Sequence, residues 1–97
     1  MKVRVTKRAQ AQIDRAAIWW DENRPLAPEA FDEDLAEAFS LLSVEPGMGA
    51  PVANVRTQGV RRLHLARIHY FLYYRMHRGE VHVVAVWHTS RGSSPNV

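Results

Sequence analysis

Apolar residues recur along this chain with more than one spacing, and each spacing predicts a different element. From Lys2 to Thr6 they alternate, with Val3 and Val5 on one side, which predicts a short strand. From Lys7 to Asn23 they step by three and four, so Ala9, Ile13, Ala16, Ala17 and Trp20 form one stripe of an α-helix that Thr6 can cap. Ile18 falls on the opposite side of that helix and Trp19 at the edge of the stripe, giving more apolar surface than one core face needs. Arg24-Pro25 ends the helix, because the residue before a proline disfavours helical backbone. A second helix is predicted from near Pro28, a suitable first-turn residue, with Glu29 and Asp32 suited to the positive end of the dipole. Phe31, Leu35, Ala38 and Leu42 make its inner stripe with Phe39 alongside, while Asp32, Glu33, Asp34 and Glu37 form a solvated outer side. "EPGMGAP" closes this helix into a loop reaching about Gly59. Its Gly47-x-Gly49 precedes Pro51 and an irregular stretch instead of a helix, so it is too weak a signal for a phosphate cradle. Gly92–Val97 is expected to be a loose tail.

Beyond the loop the period drops to two. Arg78-Gly79 reads as a two-residue hairpin turn, where glycine tolerates positive φ. The predicted register pairs His77 with Glu80, Arg75 with His82, Tyr73 with Val84, Phe71 with Val86 and His69 with His88. Successive residues alternate faces, so one face carries Tyr70, Leu72, Tyr74, Met76, Val81, Val83, Ala85 and Trp87, without a charge. The other carries His69, Phe71, Tyr73, Arg75, His82, Val84, Val86 and His88. A preceding strand over Val60–Ala66, joined by an even turn around Arg67-Ile68, adds Leu63 and Leu65 to the apolar face. It adds Arg62 and His64 to the mixed one, and sets Arg61 at the rim of the apolar face. Two amphipathic helices need a surface to cover, and the apolar face supplies it. The expected fold is α+β in two layers: an N-terminal strand and an α-helical hairpin packed on one face of an antiparallel β-sheet, in the order β-α-α-β-β-β. Residues 1–97 are expected to form a single domain.

Composition narrows the setting. A chain of 97 residues supports one modest core. No apolar run approaches the ~20 residues that span a bilayer, and MKVRVTKRAQ lacks the apolar middle of a signal peptide. No cysteine is present, which removes disulfides and thiolate metal sites. A cytoplasmic protein without membrane contact is expected. Charge is distributed unevenly: residues 1–50 hold six basic and nine acidic residues, whereas residues 51–97 hold seven arginines, one acid (Glu80) and all five histidines. The net charges of −3 and +6 point to an anionic partner for the second half.

The chemistry open to the mixed face is limited. His69 and His88 are expected cross-strand neighbours, but no HxH, HExxH or acidic third ligand accompanies them, and no metal or other cofactor is expected. Ser40, Ser43, Ser90, Ser93 and Ser94 lie outside any nucleophile elbow. Glu80 alone cannot support a paired-carboxylate mechanism. An Arg/His face can cleave RNA by acid–base catalysis, since imidazole titrates near neutral pH and guanidinium stabilises a phosphorane. It can equally be a recognition face, where arginine and aromatic side chains anchor a partner.

The order strand, helix, helix, three-stranded meander resembles the RelE/ParE superfamily of bacterial type II toxins over Val3 to Arg91. The most specific stretch is "GVRRLHLARIHYFLYYRMHRGEVHVVAVWHTSR": Gly59 and Arg61 open a strand, Leu63 and Leu65 continue it, Tyr70, Tyr74 and Arg75 mark a tyrosine-rich central strand, and a Val-rich last strand ends in His88-x-x-Arg91. "LLSVEPGMGAPV" is similar to the family's link between second helix and sheet. The resemblance implies a toxin neutralised by a cognate antitoxin, with one of two targets. RelE-like members are ribosome-dependent mRNA endonucleases; ParE-like members poison DNA gyrase. This chain has no lysine after Lys7 and no tyrosine after Tyr74, and Phe71 stands where some nucleases place an arginine, so the ParE-like branch fits better. The cationic groups at the resembling positions, Arg61, Arg75, His88 and Arg91, are expected to carry toxicity, or catalysis if the chain is a nuclease. An antitoxin with a disordered acidic or amphipathic C-terminal tail is expected to bury Ile18, Trp19, Phe71, Tyr73, Val84 and Val86 and to meet Arg62, Arg67 and Arg75. Operator DNA would be contacted only through that antitoxin.

Overall fold

The computed structural model describes all 97 residues, Met1–Val97. Its elements are β1 (Val3–Val5), α1 (Lys7–Asn23), α2 (Ala30–Val44), β2 (Ala50–Pro51), β3 (Arg61–Leu65), β4 (Tyr70–His77) and β5 (Glu80–His88). Thr6 caps α1 as its sequence implies, the hydroxyl oxygen accepting from the Ala9 N–H at 3.2 Å. The helix stops at Asn23, one residue before the Arg24-Pro25 break. Trp20 then ties the interhelical turn to the core: its ring packs 6.3 Å from Phe31 and its indole N–H donates to the Ala27 carbonyl at 2.7 Å. α2 starts just past Pro28, with Glu29 at the N-cap.

The five strands lie in the order β1-β5-β4-β3-β2. β1 is an edge strand of the sheet itself, parallel to β5, so the sheet is mixed; the other pairings are antiparallel. β2 is a two-residue strand inside the expected loop, pairing Ala50 with Arg62 and Pro51 with Arg61. One face of the sheet is covered by the helices through Ala9, Trp20, Phe31, Leu35, Leu42, Leu72, Tyr74, Val81 and Val83, with Val3, Val5, Leu63 and Leu65 packed at its margin. A fully buried aliphatic or aromatic side chain of this kind contributes roughly 1.5–3 kcal/mol. Ile68 belongs to this core at 0% exposure although it lies in the Ala66–His69 turn. His69 takes φ +62° there, a conformation that a non-glycine residue adopts only at some cost. The Arg78-Gly79 turn has positive φ at both residues, +50° and +76°, as a tight hairpin of this hand requires.

The expected hairpin register holds from His77–Glu80 to Tyr74–Val83 and then slips by one. Tyr73 pairs with Ala85, Phe71 with Trp87 and Tyr70 with His88, leaving Val84 as the extra residue of a β-bulge. A one-residue slip exchanges every side chain between faces. Val86 and His88, expected on the mixed face, therefore belong with the helices, and Val86 is buried in the main core. Ala85 and Trp87, expected under the helices, lie on the opposite face. His69 meets Thr89 instead of His88, its carbonyl accepting from the Thr89 N–H at 2.9 Å. The slip occurs where β5 loses its edge neighbour. The Thr6 N–H bonds to the Val83 carbonyl at 3.1 Å, the chain then turns away into α1, and the Val86 N–H is satisfied by the Gln12 side-chain oxygen at 2.8 Å.

The second face is not bare. Val60, Tyr73 and Ala85 form a small buried cluster, covered by Val52, Val55, Phe71, Val84, Trp87 and Val97. Gly92–Val97, expected as a loose tail, runs across this face: the Trp87 indole N–H donates to the Ser93 carbonyl at 2.7 Å, the Thr57 N–H to the Val97 carbonyl at 3.0 Å, and the Arg8 guanidinium to the Asn96 carbonyl. Pro95 is buried. Backbone acceptors that meet fixed donors hold this segment in place although it forms no strand.

Candidate functional site

Around that cluster the exposed face presents cations stacked on aromatic rings. The Arg62 guanidinium lies 4.0 Å from the Phe71 ring centroid and 5.9 Å from that of Tyr73. His64 flanks Phe71 at 5.1 Å, and Arg91 lies over Trp87 at 3.9 Å. Contacts of this kind are worth roughly 0.5–1 kcal/mol at exposed sites and hold the guanidinium against the ring. The one acid of the second half is already matched, since Glu80 meets Arg4 at 2.9 Å and His82 at 3.4 Å. Hydrogen bonding from His82, with help from Arg4, lowers the Glu80 pKa below the ordinary carboxylate value. Arg75 meets the His77 Nδ1 at 3.4 Å; burial first, then Arg75 and His82, lower the pKa of His77.

At the far end of β5 the helix-covered side opens into a groove of about 270 Å³ between α1 and the strand end, lined in part by Gln12, Arg15, Trp19, His88 and Arg91. The His88 ring is edge-on to Tyr70 (5.0 Å) and to Trp19 (6.1 Å). Its Nδ1 accepts from the Ser90 N–H at 3.1 Å and lies 2.6 Å from the Ser90 hydroxyl, which places the proton of the neutral ring on Nε2. Burial lowers its pKa, reinforced by the charges of His69, Arg24 and Arg91. Burial raises the pKa of the neighbouring Tyr70. This corner thus favours the uncharged form of an imidazole set between two aromatic rings.

Of the four residues expected to act together, His88 and Arg91 share a groove, while Arg61 and Arg75 lie elsewhere. Arg61 lies on the helix-covered side and donates to the carbonyls of Gly47 (3.2 Å) and Gly49 (2.7 Å), clamping the loop after α2. Arg75 is on the opposite face beside the hairpin turn, paired with His82. His88 is at the other end of β5 and turned to the helices, while Arg91, past the strand, reaches over Trp87. Of the surface expected to meet a partner, Ile18 is 60% and Trp19 38% exposed, with Arg24 5.2 Å from the Trp19 ring. Phe71 and Val84 are half-buried, and Arg62 lies over Phe71; Tyr73 and Val86 are buried, so neither can be an exposed anchor. Arg67 is already occupied by α2: its Nε contacts both Asp34 carboxylate oxygens at 3.0 and 3.1 Å, and its Nη2 reaches Asp34 Oδ1 at 2.6 Å and Glu33 at 3.3 Å. Two arginines outside the expected set, Arg8 and Arg56, share a groove with Arg75. Arg8 follows the Thr6 cap by two residues, which was a usable signal; Arg56, in the loop, carried none.

A family model described as the ParE toxin of the type II toxin–antitoxin system parDE matches residues 3–92. Among solved structures, a chain from the chromosomal ParDE toxin–antitoxin system of P. aeruginosa superposes with a TM-score of 0.75 at 21% identity, covering 93% of this chain and 97% of that one. At that identity the likeness speaks for the fold. Comparison with curated proteins gave no match.

Proposed function

The chain belongs to the ParE toxin family of type II toxin–antitoxin systems, and from that premise we propose that it arrests bacterial growth by poisoning DNA gyrase and is neutralised by a cognate antitoxin. The observation that carries the choice of target is the separation of His88 from Arg75. RNA cleavage needs a proton-transfer group beside the cations that stabilise the phosphorane. The bulge at Val84 turns the His88 ring toward Trp19 and Tyr70, at the end of β5 remote from Arg75 and the hairpin turn, and the cations that share a groove with it are Arg15, Arg62 and Arg91. Arg75 and Arg91 are then the direct cationic contacts to the target. Arg61 and His88 act by position, Arg61 through the loop carbonyls it holds and His88 through the Trp19 and Tyr70 rings it separates.

Ribosome-dependent mRNA cleavage is the second reading, favoured by one contact: the His64 imidazole flanks Phe71, on whose ring the Arg62 guanidinium is stacked. The two separate cleanly. Induced alone in bacteria, the chain is expected to stop growth, and the purified protein to inhibit gyrase supercoiling while leaving ribosome-bound mRNA intact. Messenger cuts that disappear with His64→Ala or His88→Ala would overturn the gyrase assignment.

A further inference from the structure

Arg8 from the first turn of α1, Arg56 from the loop between β2 and β3, and Arg75 from β4 line one groove of about 290 Å³ on the open side of the sheet. Val60, Val84 and Val97 give it apolar walls, and Thr6 and Thr57 complete it. The bulge contributes here, since Val84 is the residue it leaves unpaired in the ladder. No side-chain carboxylate lines the groove. The ion pairs of this chain join Arg4 and His82 to Glu80 and Arg67 to Glu33 and Asp34; none involves Arg8, Arg56 or Arg75. Arg8 uses a donor on the Asn96 carbonyl and Arg75 one on His77, which leaves guanidinium donors in excess.

Three like charges around one small groove repel one another unless an anion joins them. Apolar walls strengthen that field by excluding water. A carboxylate brings one charge and two oxygens, enough for a single guanidinium fork. A phosphate group brings more charge and further acceptor oxygens, so several forks can share it. We propose that the Arg8–Arg56–Arg75 groove is a phosphate-binding site, filled either by a free phosphate or nucleotide or by the backbone of a nucleic-acid strand. The site goes beyond the growth-arrest reading and requires neither gyrase nor an antitoxin.

Calorimetric titration of the purified full chain at low ionic strength tests it, with pyrophosphate and a short single-stranded oligodeoxynucleotide as probes. Pyrophosphate is expected to bind, and Arg8→Gln, Arg56→Gln and Arg75→Gln each to weaken it about tenfold. Arg78→Gln removes the same charge at the exposed hairpin turn and is expected to change binding by less than about twofold. Arg75→Lys keeps the charge but loses the fork and should fall between wild type and Arg75→Gln. Urea unfolding of each variant establishes that it is folded. An oligonucleotide that binds and is displaced by pyrophosphate identifies a phosphodiester source; pyrophosphate binding alone identifies a free phosphate. Equal losses in all four glutamine variants would reduce the effect to net charge and overturn the site. So would failure of folded wild-type protein to bind either probe, or arginine-dependent binding of oligoglutamate in place of pyrophosphate.

Discussion

The Tyr74 hydroxyl and the Gly49 N–H meet at 2.8 Å across 25 residues of sequence, and the same hydroxyl donates to the Pro46 carbonyl at 2.7 Å. With Arg61 on the Gly47 and Gly49 carbonyls, this contact fixes the loop that carries the chain from α2 to the sheet. Tyr74→Phe leaves two loop groups without their partner and is expected to cost ~1–3 kcal/mol. A Cβ at Gly49 would lie 2.7 Å from the Tyr74 oxygen and 2.8 Å from its ring, which is fully buried and has no room to retreat. Gly49→Ala should cost ~1–3 kcal/mol as overpacking. Nothing lies within 4 Å of a Cβ at Gly47, so Gly47→Ala is the control. Urea midpoints at unchanged m-value report these changes; equal losses at both glycines would sink the account.

Arg67 and Asp34 form a fork-like pair on the surface, the Arg67 side chain 56% and the Asp34 side chain 17% exposed. The hydrogen bond that Arg67 donates to Asp34 is the main reason its pKa rises, followed by that to Glu33. Exposed pairs of this sort contribute little and are screened by salt. A double-mutant cycle on Arg67→Ala and Asp34→Ala should give a small coupling that shrinks as ionic strength rises. A large, salt-independent coupling would mean that the pair acts as part of the core.

His88 and His77 both have pKa values depressed by burial, below the ordinary imidazole value of about 6.5. Protonation at either site therefore favours the unfolded chain. Their stabilisation is complete above about pH 6.5 and is lost as pH falls through the folded-state values. Glu80, whose pKa is depressed mainly by His82, adds a second loss below the ordinary carboxylate range. Denaturation midpoints should fall between pH 7.5 and 5, and His88→Phe should flatten that limb while preserving the aromatic contacts to Tyr70 and Trp19. A pH dependence that His88→Phe leaves intact would remove His88 from this role.

Much of the fold was legible because local chemistry dictated it. Thr6 and Arg24-Pro25 bound α1, and Arg78-Gly79 sets the hairpin turn and the pairs from His77–Glu80 to Arg75–His82. The bulge was not legible: Val83 and Val84 are alike in sequence, and the slip between them depends on where β1 stops beside β5. That single residue moved Val86 and His88 to the helices and Trp87 to the open face, which divided the expected site. The burial of Ile68 in a turn, the parallel pairing of β1 and the path of residues 92–97 are likewise set by tertiary packing, on which short-range periodicity carries no information.

The exposed apolar pair on α1 is the anchor we propose for the antitoxin. Trp20 is the residue that tucks under the interhelical turn, so Ile18 and Trp19 are left at the surface, 60% and 38% exposed. Trp19 also borders the groove of Arg15, His88 and Arg91, where apolar contact and positive charge adjoin. An acidic, amphipathic tail laid along α1 would bury both residues and bring its carboxylates to Arg15 and Arg91. Tryptophan at the centre of such a surface is a typical hot spot, with truncation costing ~2 kcal/mol or more. In surface plasmon resonance with the antitoxin, Trp19→Ala should raise the off-rate about thirtyfold at little change in on-rate. Charge removal should act mainly on encounter and fade with salt. Arg15→Ala should therefore lower the on-rate more than Arg67→Ala, whose charge is already matched by Asp34 and Glu33. Unchanged kinetics in both Trp19→Ala and Arg15→Ala would place the antitoxin on another surface.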